Sequence, residues 1–108
     1  MADVFQVLAE PRRRELLALL ADDERTAGDI ARRFDVTRQA VSQHLRVLLA
    51  AGLIRERRDG TRRWYRARPE GLAEVRAYVE AMWPGALDHL KAAAEREHAS
   101  RSADAGRN

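Results

Sequence analysis

The sequence of 108 residues contains no cysteine, three prolines and few aromatic residues (6%). Without cysteine it has no disulfide, no thiolate ligand for a metal and no cysteine nucleophile. No hydrophobic run approaches the roughly 20 residues that a membrane-spanning helix needs, and residues 1–10 lack the basic start and apolar stretch of a secretion signal. We therefore expect a cytoplasmic protein without a membrane partner.

The sequence also lacks the patterns that enzymes need. It has no phosphate-binding glycine loop and no nucleophile–base pair at a meaningful spacing, and its carboxylates fall mostly on solvated helix faces. The sequence therefore predicts neither catalysis nor a cofactor. The hydrophobic and charged fractions, 45% and 34%, are those of one small, folded, helix-rich domain.

Positive charge is concentrated in the middle third of the chain. Residues 37–68 hold nine Lys and Arg against two Asp and Glu, a net charge of +7, whereas residues 1–36 and 69–108 each carry −2. A basic segment between acidic flanks is typical of a nucleic-acid-binding face. Charge distribution thus favours a nucleic acid as the partner.

Residues 37–54, within this basic segment, form the most informative pattern. Apolar residues recur at i, i+4 and i+7, the spacing of a helix that rests on a core; they are Val41, Leu45 and Leu48. The opposite face offers amide, hydroxyl and guanidinium groups without a carboxylate, and it consists of Gln39, Ser42, Gln43 and Arg46. These groups match the hydrogen-bonding pattern of base edges and phosphates. The pattern predicts a DNA recognition helix, with Thr37 as its N-cap and Gly52 as its C-cap.

A second amphipathic helix precedes this one. Behind the N-cap Thr26, its apolar residues repeat at helical spacing, and they are Ala27, Ile30, Ala31 and Phe34. A tight turn at Asp35 and Val36 joins the two helices. Two such helices with a short turn are a helix-turn-helix, in which the first helix braces the second across the DNA backbone.

A further helix is predicted over residues 11–21, begun by Pro11. Its first turn carries three arginines, Arg12, Arg13 and Arg14. The sequence leaves two roles open for them. They either bind phosphate or belong to a solvated helix start that pairs with Glu10 and Glu15.

After the recognition helix the spacing changes from helical to extended. Two arginine-rich runs, residues 53–58 and 62–68, flank Asp59-Gly60-Thr61, and Asp-Gly between extended runs is a strong hairpin signal. A basic hairpin in this place is a wing, whose arginines would lie along phosphates while one at the tip enters the minor groove. Because so small a hairpin is marginal alone, Trp64 or Tyr65 is expected to pack on the core; stacking of Trp64 on DNA is the alternative.

The last third of the chain predicts a long helix with one interruption. Pro69 starts it, apolar residues continue at helical spacing to Met82, and Pro84-Gly85 must kink or break it. Residues 99–108 are small and polar and are predicted to be a flexible tail. Residues 1–98 are expected to form a winged helix domain for DNA binding and dimerisation.

The first and last helical segments carry more apolar surface than a monomer of this length can cover. The economical solution is a homodimer in which residues 3–9 and the C-terminal helix pair with their symmetry mates. The predicted dimer-interface residues are Val4, Phe5, Leu8, Val75, Tyr78, Val79, Met82 and Trp83. Packing onto the monomer's own core is the alternative. The predicted fold is mainly α, a winged helix-turn-helix of three core helices and a two-stranded wing, with dimerisation helices at both ends.

Three stretches of the chain resemble ArsR-type winged-helix regulators. They are residues 9–17 (AEPRRRELL), residues 37–48 (TRQAVSQHLRVL) followed by AGLI at 51–54, and wing residues 57–66 (RRDGTRRWYR). The resemblance covers about residues 3–90. It implies a dimeric bacterial transcriptional regulator, usually a repressor that binds an inverted repeat near its own promoter. Residues 86–91 (ALDHLK) are similar to a branch of that family without metal sites.

The chain departs from the metal-sensing members of that family. Their bracing helix carries a Cys-x-Cys pair, where this sequence has residues 26–31 (TAGDIA). A second family site uses Asp and His ligands on the last helix, but the available residues, Asp88, His89, Glu97 and His98, do not reproduce its spacing. Two histidines from each chain of a dimer would in principle complete a tetrahedral zinc site. Solvated histidines are the simpler interpretation, and no metal is predicted.

The DNA-binding hypothesis assigns roles to single residues. Arg38, Gln39 and Gln43 are predicted to reach base edges in the major groove. Phosphate contacts are assigned to Thr37, Ser42, His44 and Arg46 on the helix and to Arg57, Arg58, Arg62 and Arg63 on the wing. The alternative function is a winged helix whose basic face associates with an acidic protein. No inducer ligand is indicated by the sequence.

Overall fold

The chain alternates short helices with one β-hairpin. Its structure is a computed structural model that describes the backbone of residues 3–105 and the side chains of residues 3–100. The α-helices are α1 (Val4–Ala9), α2 (Pro11–Asp22), α3 (Ala27–Phe34), α4 (Arg38–Ala50), α5 (Ala73–Met82) and α6 (Ala86–Ala105). The strands are β1 (Ile54–Asp59) and β2 (Arg62–Ala67), and a 3-10 helix spans Pro69–Leu72. The mainly α winged helix-turn-helix is confirmed.

The chain divides into two units, residues 1–75 and residues 76–108. The first unit holds α1 to α4, the hairpin and the hydrophobic core. None of the helices in the described part of the chain is long and apolar enough to cross a membrane.

Helix α4 lies on the core by the face that the sequence predicts. Val41, Leu45 and Leu48 are 2%, 1% and 0% exposed, and they pack with buried leucines of α2 and with Ile30 of α3. Burial of each such side chain is worth about 1.5–3 kcal/mol. The rotation of α4 about its own axis is therefore fixed, and so is the identity of its outer face.

The predicted N-caps of α3 and α4 are both confirmed. The hydroxyl of Thr26 accepts a hydrogen bond from the N–H of Asp29 at 3.2 Å, and the hydroxyl of Thr37 accepts one from the N–H of Ala40 at 3.1 Å. Between the two helices Asp35 adopts a left-handed conformation, with φ +53°. Asp tolerates this conformation better than most residues, so the turn stays short.

Helix α4 ends in a Schellman motif at the predicted glycine. Gly52 has φ +73°, and its N–H donates to the carbonyl oxygen of Leu49 at 3.0 Å. The N–H of Leu53 donates to the carbonyl oxygen of Leu48, also at 3.0 Å. These bonds satisfy carbonyls that a helix end would otherwise leave unpaired, and they direct the chain out of α4 into the wing.

The wing is an antiparallel hairpin with a two-residue loop. Asp59 pairs with Arg62, so the loop is Gly60-Thr61, one residue later than the Asp-Gly signal suggests. Gly60 has φ +64°, and positive φ at the first loop position is the requirement of a type II′ turn. Tyr65, predicted to pack on the core, is 8% exposed.

An isolated β-bridge at Arg25 extends the hairpin on the side of β2. The sequence does not predict it. Arg25 and Tyr65 exchange two backbone hydrogen bonds, of 3.1 and 2.9 Å. The connection between α2 and α3 is thereby attached to β2. A two-stranded hairpin alone is marginally stable, so this bridge strengthens the base of the wing.

Helix α1 packs on the core and is held there by α2. Val4, predicted to lie in a dimer interface, is 5% exposed and belongs to the core of the single chain, which is the alternative that the sequence left open for it. The guanidinium of Arg13 donates to the carbonyl oxygen of Val7 at 2.7 Å, and that of Arg14 to the carbonyl oxygen of Leu8 at 2.7 Å. These bonds satisfy the open C-terminal end of α1.

The arginine triplet thus has a role that neither interpretation of the sequence includes. Arg13 and Arg14 bind the carbonyls of the preceding helix. Arg12 alone shows the predicted pairing within the helix start, with Glu15 at 3.0 Å. Its guanidinium also lies 5.0 Å from the centre of the Phe34 ring, a cation–π distance.

In the second unit the predicted break is present. Helix α5 ends at Met82 and α6 begins at Ala86, with φ +80° at Gly85. The carboxylate of Glu80 accepts hydrogen bonds from the N–H groups of Gly85 at 3.2 Å and Leu87 at 3.4 Å. An acceptor at a helix N-terminus satisfies unpaired donors and matches the helix dipole. The side chain of Glu80 in α5 therefore stabilises the start of α6.

Most of the segment predicted to be a flexible tail is helical. Helix α6 continues to Ala105, and residues 106–108 lie outside the described part, so the flexibility of residues 99–108 stays a prediction. Residues 99–105 include three alanines and neither proline nor glycine. Since small polar composition by itself does not end a helix, the first residue that favours termination is Gly106.

The 3-10 helix packs closely against the end of α4 where Gly71 meets Gly52. A Cβ added to Gly71 would lie 2.2 Å from the carbonyl oxygen of Gly52, which no side chain tolerates. Arg68 extends the contact, because its N–H donates to the carbonyl oxygen of Leu53 at 2.8 Å.

We expect Gly71→Ala to lower the free energy of unfolding by about 1–3 kcal/mol, the cost of overpacking at a rigid contact. The measurement is urea unfolding followed by circular dichroism. Gly28→Ala is the matched control, because its Cβ meets nothing closer than 3.8 Å and alanine favours a helix by about 0.5–1 kcal/mol. Equal stability of the two variants would contradict the close contact.

Candidate nucleic-acid interface

The outer face of α4 is solvent-exposed along its length. All its predicted DNA-binding side chains except one are exposed, namely Thr37, Arg38, Gln39, Ser42, Gln43 and Arg46. His44 is half-buried on the flank of the helix. Since the residues of α4 include no Asp or Glu, this face offers donors, amide acceptors and positive charge together.

The wing adds arginines in an arrangement that is unfavourable without an anion. Arg58 lies directly opposite Arg63 in the hairpin, and Arg55 lies opposite Arg66. All four are exposed. Like charges in opposite positions of a ladder are destabilising, and a phosphate between them would remove that cost. The hairpin is therefore better suited to a polyanion than to free solution.

Arg57 differs from the other wing arginines. Its guanidinium donates two hydrogen bonds to the carboxylate of Glu24, at 3.1 and 3.2 Å, and lies 5.9 Å from the centre of the Trp64 ring. The predicted phosphate contact of Arg57 is thus occupied by a protein carboxylate. Arg57 meets this carboxylate because the fold places the α2–α3 connection, which carries Glu24, beside the wing.

Helix and wing residues meet in one cleft of about 520 Å³. Arg38 and Ser42 of α4 line it together with Arg62 and Arg63 of β2. The structure therefore brings four of the predicted DNA-binding residues to one place. The remaining wall includes Thr26, Gly28 and Asp29 at the start of α3, Arg32 in its last turn, and Trp64.

The start of α3 is the part of the site that sequence reasoning missed. Arg38 lies over it, because a Cβ at Gly28 would be 3.8 Å from the Arg38 Nε. Unpaired N–H groups of a helix N-terminus favour anions. Asp29 opposes this effect and forms an ion pair with Arg32. The Thr26 cap marks this helix start in the sequence, but its proximity to the wing has no sequence signal.

Trp64 is half-buried beneath Arg57 and lines the cleft. Its indole nitrogen is buried and has no hydrogen-bond partner among the described residues. Of the two aromatic residues predicted to pack on the core, Tyr65 does so and Trp64 does not. Stacking on DNA stays a hypothesis.

The comparisons with known proteins agree with this geometry. The profile of a helix-turn-helix domain matches residues 8–57. The HTH-type transcriptional regulator Rv2034 of Mycobacterium tuberculosis is 43% identical over 83 residues, which cover 77% of this chain and 78% of that protein. The transcriptional repressor SdpR of Bacillus subtilis is 40% identical over 60 residues, covering 56% of this chain and 67% of that protein.

A solved structure decides the family. It is the homodimeric winged helix-turn-helix DNA-binding domain of Mb0332 from Mycobacterium bovis, described as a possible ArsR-family transcriptional regulator. It is 36% identical to this chain, covers 80% of each and aligns with a TM-score of 0.61. The chain belongs to the ArsR family. It is a winged helix-turn-helix transcriptional regulator of that family, as its recognition-helix and wing motifs predict.

The apolar residues that this ArsR-family chain was predicted to use for dimerisation differ in exposure. Half-buried members are Leu8, Val75 and Val79. Exposed members are Phe5 (38%), Tyr78 (56%), Met82 (66%) and Trp83 (51%). Phe5 belongs to α1, and the other three lie within residues 78–83 around the end of α5. Several large exposed apolar side chains in so short a segment are typical of an interaction surface.

The histidines of α6 show no metal-binding arrangement. Among the described residues, no group of three or more His, Asp or Glu side chains is placed to hold a metal ion. His89 instead stacks on Trp83, with ring centres 5.2 Å apart and planes 17° from parallel.

The Glu24–Arg57 pair makes the stability of this regulator depend on pH. Hydrogen bonding to the Arg57 guanidinium lowers the pKa of Glu24 from its ordinary value of 4.5, burial opposes the shift, and the charges of Arg57, Arg66 and Arg55 add to it. A carboxyl whose pKa is lowered by folding stabilises the fold above its ordinary pKa. That contribution is lost as the pH falls through the lowered value.

We expect the wild type to melt at a higher temperature than Glu24→Gln at pH 7, and the difference to shrink as the pH falls below about 4.5. Melting curves between pH 7 and 3 at low ionic strength, where exposed pairs are least screened, measure it. Arg57→Gln should lack the same pH-dependent component. A difference that is independent of pH would rule out the ion pair as its source.

Proposed function

We propose that this chain represses transcription as a homodimer that binds an inverted-repeat operator in duplex DNA. The observation that carries the proposal is the exposed, carboxylate-free face of α4 beside an arginine-rich wing. Helix-turn-helix proteins place such a helix in the major groove. A regulator of this kind acts on DNA, so its place is the cytoplasm.

Base recognition is assigned to the start and middle of α4. Arg38 and Gln39 lie in its first turn and Gln43 one turn later, and helix-turn-helix proteins contact bases with the N-terminal part of this helix. Arginine can bind guanine with two hydrogen bonds, and glutamine can do the same with adenine. Their exposure in the free protein supports the assignment.

Phosphate contacts are assigned to residues on either side of the base-reading face. On the helix they are Thr37, Ser42, His44 and Arg46, and on the wing Arg58, Arg62 and Arg63. The Arg58–Arg63 pair supports this assignment, because a phosphate between the two guanidinium groups relieves their repulsion. Arg57 is not included, because it already binds a carboxylate.

Repression and dimerisation are proposed from the relatives together with the exposed apolar residues. SdpR is named as a transcriptional repressor, and the Mb0332 domain is described as homodimeric. A two-fold dimer presents two copies of α4, which match the two halves of an inverted repeat.

The direct test selects bound duplexes from a random pool and reads the symmetry of the preferred site. A palindrome whose half-sites lie about one helical turn apart, or a multiple of it, is expected. Unrelated DNA should compete poorly with this site. Equal competition would instead favour the other hypothesis, a winged helix that associates with an acidic protein.

We expect Gln39→Ala to lose roughly 1–3 kcal/mol of binding free energy and to relax specificity at one base pair per half-site. Arg62→Ala should weaken all duplexes alike and reduce the slope of log K against log salt by about one per contact. Fluorescence anisotropy with matched and mismatched duplexes at several salt concentrations measures both. If the two variants gave the same profile, the division between base and phosphate contacts would be wrong.

Dimerisation is tested by Met82→Glu, which places a charge among the exposed apolar residues of α5 and should shift the protein towards monomer. Sedimentation equilibrium at micromolar concentrations measures the association. Ala77→Glu is the control, because Ala77 is exposed on the opposite face of the same helix. Equal association in the wild type and both variants would argue against the predicted surface.

A further inference from the structure

The wing is attached to the α2–α3 connection by two consecutive residues that contact different strands. The backbone of Arg25 pairs with Tyr65 of β2, and the side chain of Glu24 binds Arg57 of β1. The next residue, Thr26, is the N-cap of α3. Both strands are thereby joined to the beginning of the helix that braces α4.

The Glu24–Arg57 contact has the geometry of a positioning interaction. Arg57 Nε and one terminal nitrogen each donate to a different carboxylate oxygen, at 3.1 and 3.2 Å. Such a two-point contact fixes orientation as well as distance. Arg57 also lies over Trp64, its directly opposite partner in the hairpin, so the guanidinium is held between a carboxylate and an aromatic ring.

Most of the charge around Glu24 is positive, as on a DNA-binding surface. Arg55, Arg57 and Arg66 all lie close enough to lower the pKa of its carboxyl. Residues 55, 57 and 59 alternate onto one face of β1, which they share with their partners 66, 64 and 62. A carboxylate on this face weakens attraction for phosphates, so its presence needs a reason other than charge.

We infer that Glu24 and Arg57 form a latch that positions the wing relative to α3 and α4. The inference rests on the proposed function, because the latch acts on DNA binding through Arg58, Arg62 and Arg63 rather than by contact with DNA. Arg57 is then a positioning residue. Its substitution changes where the tip of the wing lies, and so how well helix and wing contact one duplex together.

The sign of one substitution separates the latch from a simple charge effect. Glu24→Gln keeps the shape of the side chain, removes a negative charge and releases Arg57. If charge alone mattered, this variant would bind all DNA more tightly. With a latch, affinity for the preferred duplex falls roughly five- to tenfold, as for coupled neighbouring groups, while affinity for unrelated duplex stays equal or rises.

Three further variants complete the experiment, measured by anisotropy on the full chain with preferred and unrelated duplexes. Glu24→Arg combined with Arg57→Glu restores the pair with exchanged charges, and should recover most of the lost affinity. Arg57→Lys keeps the charge but loses the planar two-point contact, and should weaken preferred binding at an unchanged salt slope. Asp59→Asn, the matched control, removes one negative charge from the same face but neither of the Glu24–Arg57 hydrogen bonds, and should not weaken binding.

A second readout does not depend on DNA. Amide hydrogen exchange in β1 and β2 should become roughly fivefold faster in Glu24→Gln, because a hairpin that has lost one of its two attachments to the α2–α3 connection opens more often. If the wild type prefers one duplex but Glu24→Gln and Arg57→Lys bind and exchange as it does, the latch is refuted and the proposed function stands. If the wild type prefers no duplex, the proposed function fails, and hydrogen exchange alone decides whether the wing is latched.

Discussion

The burial of three side chains on one face of α4 is the constraint on which the rest of the structure depends. Val41, Leu45 and Leu48 fix the helix by its inner face, and the polar residues at the intervening positions have no place except solvent. The packing of the inner face of α4 therefore determines which polar groups its outer face presents. The Schellman motif at Gly52 then sets where the chain leaves the helix, and so where the wing begins.

Elements whose causes are local were predictable from the sequence. The caps at Thr26 and Thr37 and the break at Pro84-Gly85 each depend on residues within one turn of each other, and periodicity identified the core face of α4. The polar composition of the tail did not indicate that α6 extends to Ala105, because small polar residues by themselves do not end a helix.

Contacts between distant residues were not predictable from one sequence. Glu24 and Arg57 are 33 residues apart, and neither charge is unusual for its segment. The same holds for the Arg25–Tyr65 bridge and for the carbonyl contacts of Arg13 and Arg14. The guanidinium groups of Arg13, Arg14 and Arg57, which look available for phosphate in the sequence, are engaged within the protein. Counting arginines therefore overstates the number that are free to bind DNA.

The two-residue loop of the hairpin gives the wing a fixed reach. Six residues per strand at about 3.4 Å each span roughly 20 Å. The two-residue loop Gly60-Thr61 is too short to add a flexible segment at the tip. Lengthening each strand by one residue would turn the tip arginines to the opposite side of the ribbon, whereas adding two would preserve their side and extend it by about 7 Å. The reach of the wing, and with it the length of DNA backbone that it is proposed to follow, therefore changes in steps of two residues per strand.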